Sequence, residues 1–495
     1  MGVVFRQSFK GMVSTFAGAF IGFLTTFFVV AKFLSPNEIG LTRVLYEVGM
    51  LLAGFAMLGT QSSAIRYYPY LKTEDGKNRG FFRYLILIPL LGGGIIAALY
   101  LLLGDTVTTY FGNKSTIFKE YSLWVLPMMF FLIYQTLLET YASIYQRVAV
   151  PKVIREVLLR VLLLGVYIAY GVGGISFSWM VGAFVGTYGV IAAVNFLYCI
   201  WLDPIGTRAK LQPVEREVGR SFLSYTVWIV LAALSGNLVG RLDIFMISAQ
   251  MGLDYSGIYT IAFFIVAIID IPSRSHIAML SPQVSGYIQK REYSRAEELF
   301  KKIAHYQLLI GGVLFVAIWV NIDTIFMLIP NTNTYMQGKW VVFFLGLSRV
   351  VDVSFSFGNT ILRYSPYYRW IIILTLIVTL FSILLNYICI EWWGINGAAL
   401  ATLGTLVVNY SVSQLILARS MNVSPMDLDM IKGWGILALA IIANEVTPNV
   451  SGPIINSIVK TTAILLPTIW LFSTMRGYKP LLNEINLLWR RKKNS

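Results

Sequence analysis

The 495-residue sequence predicts an all-α integral membrane protein of about fourteen transmembrane helices, the first twelve forming two parallel repeats of a six-helix unit. Three observations predict it. Hydrophobic residues make up 57% of the chain and charged residues only 13%, with a mean hydropathy of +0.70, which lies outside the range of soluble domains. Fourteen apolar stretches, most of them near the roughly 20 residues needed to cross a bilayer, follow one another without a long polar insert. A phrase near the start, AKFLSPNEIGLTRVLYEVG at 31–49, returns in altered form 217 positions later as SAQMGLDYSGIYTIAFFIV at 248–266.

In order, the stretches are 8–33, 41–64, 82–103, 121–145, 153–173, 178–201, 219–248, 255–280, 303–329, 338–361, 368–389, 395–418, 432–447 and 456–475. The first follows Arg6 and Lys10, the layout of a signal peptide, but its apolar run is too long for a cleaved one and reads as a retained helix. The formal net charge of +15 raises the question of nucleic acid. Its distribution answers otherwise. Alternate loops collect Lys and Arg, as at 66–83, 147–155, 208–220, 290–302 and in the tail after 476, whereas the opposite loops hold only Lys114, Lys119 and Lys339. That is the positive-inside pattern, expected of an even number of spans with both termini cytoplasmic in the plasma (inner) membrane. No nucleic-acid partner is expected. Cys199 and Cys389 fall near opposite faces, beyond disulfide reach. His276 and His305 lack Cys or carboxylate companions at ligand spacing, so no metal site is expected either.

The repeat persists beyond one loop. YQRVAVP at 145–151 ends the fourth span much as LRYSP at 362–366 ends the tenth, and GGIS at 173–176 opens the sixth as WGIN at 393–396 opens the twelfth. An even-numbered unit enters the membrane from the same side each time, so the copies are related by an axis along the membrane normal. The expected organisation is a six-helix lobe at 1–210, a second at 211–425, two further helices at 426–475 and a basic cytoplasmic tail at 476–495. Two lobes about such an axis enclose a central cavity, the arrangement of alternating-access transporters. Gly40 and Gly257, equivalent in the repeat, are expected to supply the permissive backbone of the outer turn between the first two helices of each lobe.

The elbow FLSPNEIGL (33–41), the exit GTQSSAIRYYP (59–69), the segment RLDIFMISAQMGLDYSGIYTIA (241–262) and the linker SPQVSGYIQKREYSRAEELFKK (281–302) resemble the polysaccharide-biosynthesis flippases of the multidrug/oligosaccharidyl-lipid/polysaccharide exporter superfamily. The resemblance runs over nearly the whole chain and rests on the order and spacing of these pieces. It implies two six-helix bundles in a V with two peripheral C-terminal helices. It also implies a polyprenyl-diphosphate-linked oligosaccharide as substrate, carried from the cytoplasmic to the outer leaflet for surface polysaccharide synthesis. Membrane lipids, a polysaccharide polymerase and glycosyltransferases are its implied partners.

Moving a diphosphate and a glycan through hydrocarbon requires a wet, electropositive path, and Arg suits it because it stays charged and grips phosphate oxygens with two parallel donors. Arg43, Arg160, Arg241, Arg274 and Arg349 all lie within spans. At about 2.5–3.5 kcal/mol each for lipid exposure near the bilayer centre, several must face inward. We rank Arg241, Arg43, Arg274 and Arg349 as diphosphate ligands ahead of Arg160. Acids stand near them: Glu47 at i+4 from Arg43, Asp243 beside Arg241, Asp352 near Arg349, Asp270 four before Arg274, and Glu139 in the fourth span. These acids are candidates for pairing or for ion and proton coupling. In the linker, Ser281 followed by Pro282 reads as a helix N-cap with proline at the first position. No nucleotide-binding loop, catalytic motif or cofactor signature is present, so an enzyme is not expected. The competing reading is a multidrug/cation antiporter of the same superfamily, which would need buried acids; residues 8–33 contain none.

Overall fold

The computed structural model describes residues 3–73, 75–104, 116–212, 242–448, 452–475 and 477–478, with the side chains of 3–10, 12, 62, 66, 67, 69, 70, 274–279 and 282 left out. The described residues are helical with no strand among them. The chain divides into two compact units, 1–260 and 261–495. Ten helices among the described residues are long and apolar enough to cross a membrane. One of them, Arg369–Met421, is 53 residues long and contains both expected spans eleven and twelve. The expected fifth span forms, but as the shorter pieces Ala149–Val153, Ile154–Leu158 and Leu159–Gly171, with Lys152, Arg155, Glu156 and Arg160 among them. The thirteenth forms as Leu428–Val446. Most of the seventh lies outside the described residues.

In the first unit, α1 (Val3–Leu24) continues through a π-helical turn at Thr25–Val30, and α2 (Pro36–Ala56) follows. The elbow sequence Ser-Pro-Asn-Glu starts α2 by itself. Ser35 Oγ accepts from Glu38 N–H, Glu38 Oε2 accepts from Ser35 N–H at 2.7 Å, and Pro36 fills the first turn, where a missing N–H costs nothing. Then come α3 (Thr60–Leu71), α4 (Phe81–Leu102), α5 (Val125–Ile144), α6 (Leu159–Gly171) and α7 (Phe177–Leu202). Helix α5 packs on α2, α4 and α7 and is the centre of this unit. Its core is aliphatic and aromatic, with Met128, Met129, Ile133 and Tyr141 almost wholly buried.

Two short helices carry the second copy of the repeated phrase, α8 (Leu242–Gln250) and α9 (Leu253–Val266), and α8 packs on α2. Here one expectation is corrected. Gly40 and Gly257 are not turn residues: each sits four residues into a helix, in α2 and α9, without a positive φ. The turn before α9 is made instead by Gly252, with φ of 103°. What Gly40 and Gly257 lack is used for close approach. A Cβ on Gly40 would lie 2.1 Å from the Leu253 carbonyl oxygen, and one on Gly257 2.0 Å from that of Pro36. Small residues let membrane helices meet backbone to backbone, where Cα–H groups face carbonyls.

The second unit holds α10 (Ile271–Gln289), α11 (Tyr293–Val320), α12 (Lys339–Tyr364), α13 (Arg369–Met421), α14 (Leu428–Val446), α15 (Pro453–Lys460) and α16 (Leu466–Thr474). A second expectation fails here. Ser281 does not cap a helix, because α10 runs straight through Ser281 and Pro282 and is begun by Asp270 with Pro272 behind it. Val284, Ile288, Phe300 and Ile303 are buried, and α10 packs on α11. Helix α13 bends at Gly394, whose φ of 58° and ψ of −136° only glycine adopts without strain. Ile377, Leu380 and Leu384 on α13 are exposed while Ser382 and Asn386 are buried, the pattern of a helix with one face toward lipid.

Candidate functional site

Charged side chains within the spans gather into networks, each inside one compact unit. On α2, Arg43 Nη2 meets Glu47 Oε1 at 2.7 Å, as their i, i+4 spacing requires. The pair is largely enclosed, with Glu47 7% exposed at its side chain, and Tyr46 packs on Tyr188 of α7 beside it.

A larger network joins α5 to the segment before α6. Arg155 Nη1 reaches Glu139 Oε2 at 2.6 Å, and its Nη2 reaches Glu156 Oε1 at 3.3 Å. Arg160 Nη2 reaches the other oxygen of Glu156 at 3.2 Å. Two guanidinium groups and two carboxylates therefore balance. Arg155 and Glu156 both lie in the π-helical turn Ile154–Leu158, whose extra residue widens the helix where the charges emerge. The sequence ranked Arg160 and Glu139 but counted Arg155 among loop cations. Its role follows from a tertiary contact across the α5–α6 connection that no local spacing encodes.

Asp243 accepts a hydrogen bond from Tyr259, Oη to Oδ2 2.7 Å. Arg241 lies outside the described residues.

The second unit builds its network from α12, α13 and the short 3₁₀ segment Ala267–Asp270. Arg349 Nη1 meets Asp270 Oδ2 at 3.3 Å, and its guanidinium stands 5.0 Å from the Phe263 ring centroid. Pairing with Asp352, three residues along α12, was the sequence expectation; the structure gives Arg349 the acid of another element. Asp352 accepts instead from the Tyr410 hydroxyl, and Ser413 donates to Asn359 at 2.6 Å one turn further. Arg274 lies on α10, four residues after Asp270; its side chain is outside the description. Tyr410 and Phe263 are the residues that sequence reasoning missed. No signal in the chain marks an aromatic as the partner of a particular charge.

Of other polar groups, His305 Nε2 lies 2.9 Å from Asp427 Oδ1, and its ring meets the buried Tyr478 edge-on with centroids 4.9 Å apart. Among the described residues no group of three or more His, Cys, Asp or Glu is placed to hold a metal. Cys199 and Cys389 are buried thiols.

A protein with these intramembrane networks on an all-helical frame has counterparts of known structure. The lipid II flippase MurJ in its inward closed conformation superposes over 94% of this chain and 98% of its own, with a TM-score of 0.70 at 14% identity. This is the fold of the multidrug/oligosaccharidyl-lipid/polysaccharide exporter superfamily. A multidrug resistance MATE family transporter of that superfamily, in an inward-facing conformation, aligns with this exporter fold over 84% of this chain and 94% of its own, TM-score 0.61 and identity 17%. By sequence, the probable low-salt glycan biosynthesis flippase Agl15 of Haloferax volcanii is 22% identical over 222 residues, 45% of this chain. That alignment covers 46% of Agl15, so the chain spans about half the length of the curated relative it matches. No protein-family model matches the chain.

Proposed function

We propose that this exporter-fold protein flips a polyprenyl-diphosphate-linked oligosaccharide from the cytoplasmic to the outer leaflet of the plasma membrane by alternating access. The observation that supports this reading best is the first unit's chemistry. Three arginines, Arg43, Arg155 and Arg160, are held within or beside spans, and each pairs with a glutamate. A guanidinium held by a carboxylate crosses the hydrocarbon without a net charge, which lowers the cost of keeping it there. A diphosphate offers the same planar fork a denser set of acceptor oxygens. Substrate binding is then an exchange of partners: phosphate oxygens replace the glutamate at Arg43, and the freed carboxylate takes a proton or turns to a neighbour. Arg241, Arg274 and Arg349 complete an electropositive path in this reading, with both termini cytoplasmic. The glycosyltransferases that build the lipid-linked glycan and the polymerase that consumes it are its functional partners.

A second reading has its own support. Among the described side chains, the second unit sets two acids, Asp270 and Asp352, near Arg349, which suits a cation as well as an anion. The likeness to a multidrug transporter fold fits that antiporter alternative.

Reconstituted liposomes carrying a fluorescent polyprenyl-diphosphate oligosaccharide decide between the two. Leaflet exchange measured by quenching from outside is expected to require the protein and to fall at least tenfold in Arg43→Ala/Glu47→Gln. Exchange that is absent in the unaltered protein, together with proton- or sodium-coupled efflux of an organic cation, overturns the flippase reading.

A further inference from the structure

The repeated phrase leaves one contact that charge chemistry does not use. Gly40 and Gly257 hold equivalent places in the repeat, as do Pro36 and Leu253. In the structure the two pairs interlock: Gly40 lies against the Leu253 carbonyl and Gly257 against the Pro36 carbonyl, so close that a Cβ would fall 2.1 and 2.0 Å from those oxygens. In an α-helix the carbonyl of residue i accepts from the N–H of i+4. Pro36 O is thus the acceptor for Gly40, and Leu253 O the acceptor for Gly257. Each glycine touches the carbonyl that the other one holds. Four backbone groups close a ring with local two-fold symmetry, and no side chain takes part.

Both helix starts in this ring also follow a non-helical joint. Leu34 and Ser35 are extended ahead of α2, and Gly252 has a left-handed φ of 103° ahead of α9. Leu41 and Ile258, again equivalent in the repeat, are buried next to the glycines with 0% and 4% exposed.

We infer that the ring is a separable joint on the outer side of the transport path, closed in this structure and broken when the path opens outward. The inference rests on the alternating-access reading above. Bare backbone surfaces have no interdigitated side chains to withdraw, so they meet and part without rotamer changes. Because the two contacts are reciprocal, a small rotation of either helix start about its joint removes both together. Added bulk cannot be absorbed by a flexible side chain, since the obstacle on each side is a carbonyl.

The test uses the full-length protein in proteoliposomes with Ile258→Cys as reporter and a membrane-impermeant maleimide added outside; Cys199 and Cys389 are buried and give the background. Slow labelling is expected with both glycines present, and labelling at least tenfold faster in Gly40→Ala or Gly257→Ala at equal abundance. Each alanine is expected to lower leaflet exchange at least tenfold, and the double variant to be no worse than either single one, since one Cβ already opens the ring. Should the alanine variants fail to accumulate, the Ile258→Cys protein alone decides: polyprenyl-diphosphate oligosaccharide is expected to change its labelling rate at least threefold. Unchanged labelling in all these proteins with normal leaflet exchange overturns the joint and leaves the flippase standing. Faster labelling in the alanine variants of a protein that moves no lipid-linked glycan keeps the joint and overturns the substrate.

Discussion

The intramembrane networks of the two units differ in kind. In the first, Arg43, Arg155 and Arg160 are balanced by Glu47, Glu139 and Glu156, glutamate for arginine. In the second, Arg349 shares its surroundings with Asp270, the Phe263 ring and the Asp352–Tyr410 bond, so that aromatic groups do part of what glutamates do in the first. Gly40 and Gly257, which stand at matching places in the repeated phrase, serve the same close backbone approach, while the side chains that form the two networks differ.

The comparison can be broken most forcefully at Arg43. Arg43→Ala strands Glu47 in a nearly enclosed position, and the expected loss is about 3–5 kcal/mol, read as a fall in abundance and in melting temperature in detergent. Adding Glu47→Gln is expected to restore abundance but not transport. Restored transport in the double variant would make the pair a purely structural one.

At Gly394, alanine must adopt a backbone conformation open almost only to glycine, a cost of about 1–3 kcal/mol. A melting temperature lowered by several degrees is expected, and an unchanged one would show that α13 straightens freely. Tyr410→Phe removes the donor to Asp352 and leaves a carboxylate with one partner fewer, again about 1–3 kcal/mol. If the second network tolerates that change while the first does not tolerate Glu139→Gln, the units differ in function as well as in composition. The smallest effect belongs to Ser35→Ala, which deletes half of a capping box for about 1 kcal/mol. A shift of a degree or two in melting, with transport intact, is the expected result.

How much of this was legible in the chain depends on the range of the interaction. Hydropathy marked the spans because each one meets lipid locally. The Arg43–Glu47 pair was legible for the same reason, being four residues apart on one helix. Ser35 and Glu38 were legible in principle as Ser-x-x-Glu before an apolar run, and went unread. The partner of Arg349 was not, since Asp270 lies on another element and Asp352 stood at a more obvious spacing. Glycine was the least readable residue: Gly40 looks like a turn former in sequence, and only the carbonyl of Leu253 reveals that its missing side chain serves close packing. Pro282 does not start a helix because the turn that begins α10 lies eleven residues earlier, at Asp270 and Ile271, and the helix continues through it to Gln289. Arg241 and the Arg274 side chain lie outside what the structure describes, so their place in the site remains part of the proposal.

The contact between the elbows has a form usually met between separate molecules. Residue i meeting j while j meets i is the signature of an isologous interface, the kind two identical chains make about a shared axis. A six-helix polypeptide carrying a single copy of the phrase would need only a second copy of itself to build that ring. Joining the copies in one chain leaves the ring unchanged but releases a constraint that a homodimer cannot escape: its two halves need no longer carry the same charges. Arg43 and Glu47 of the first copy of the phrase stand where the second copy carries Thr260 and Phe264.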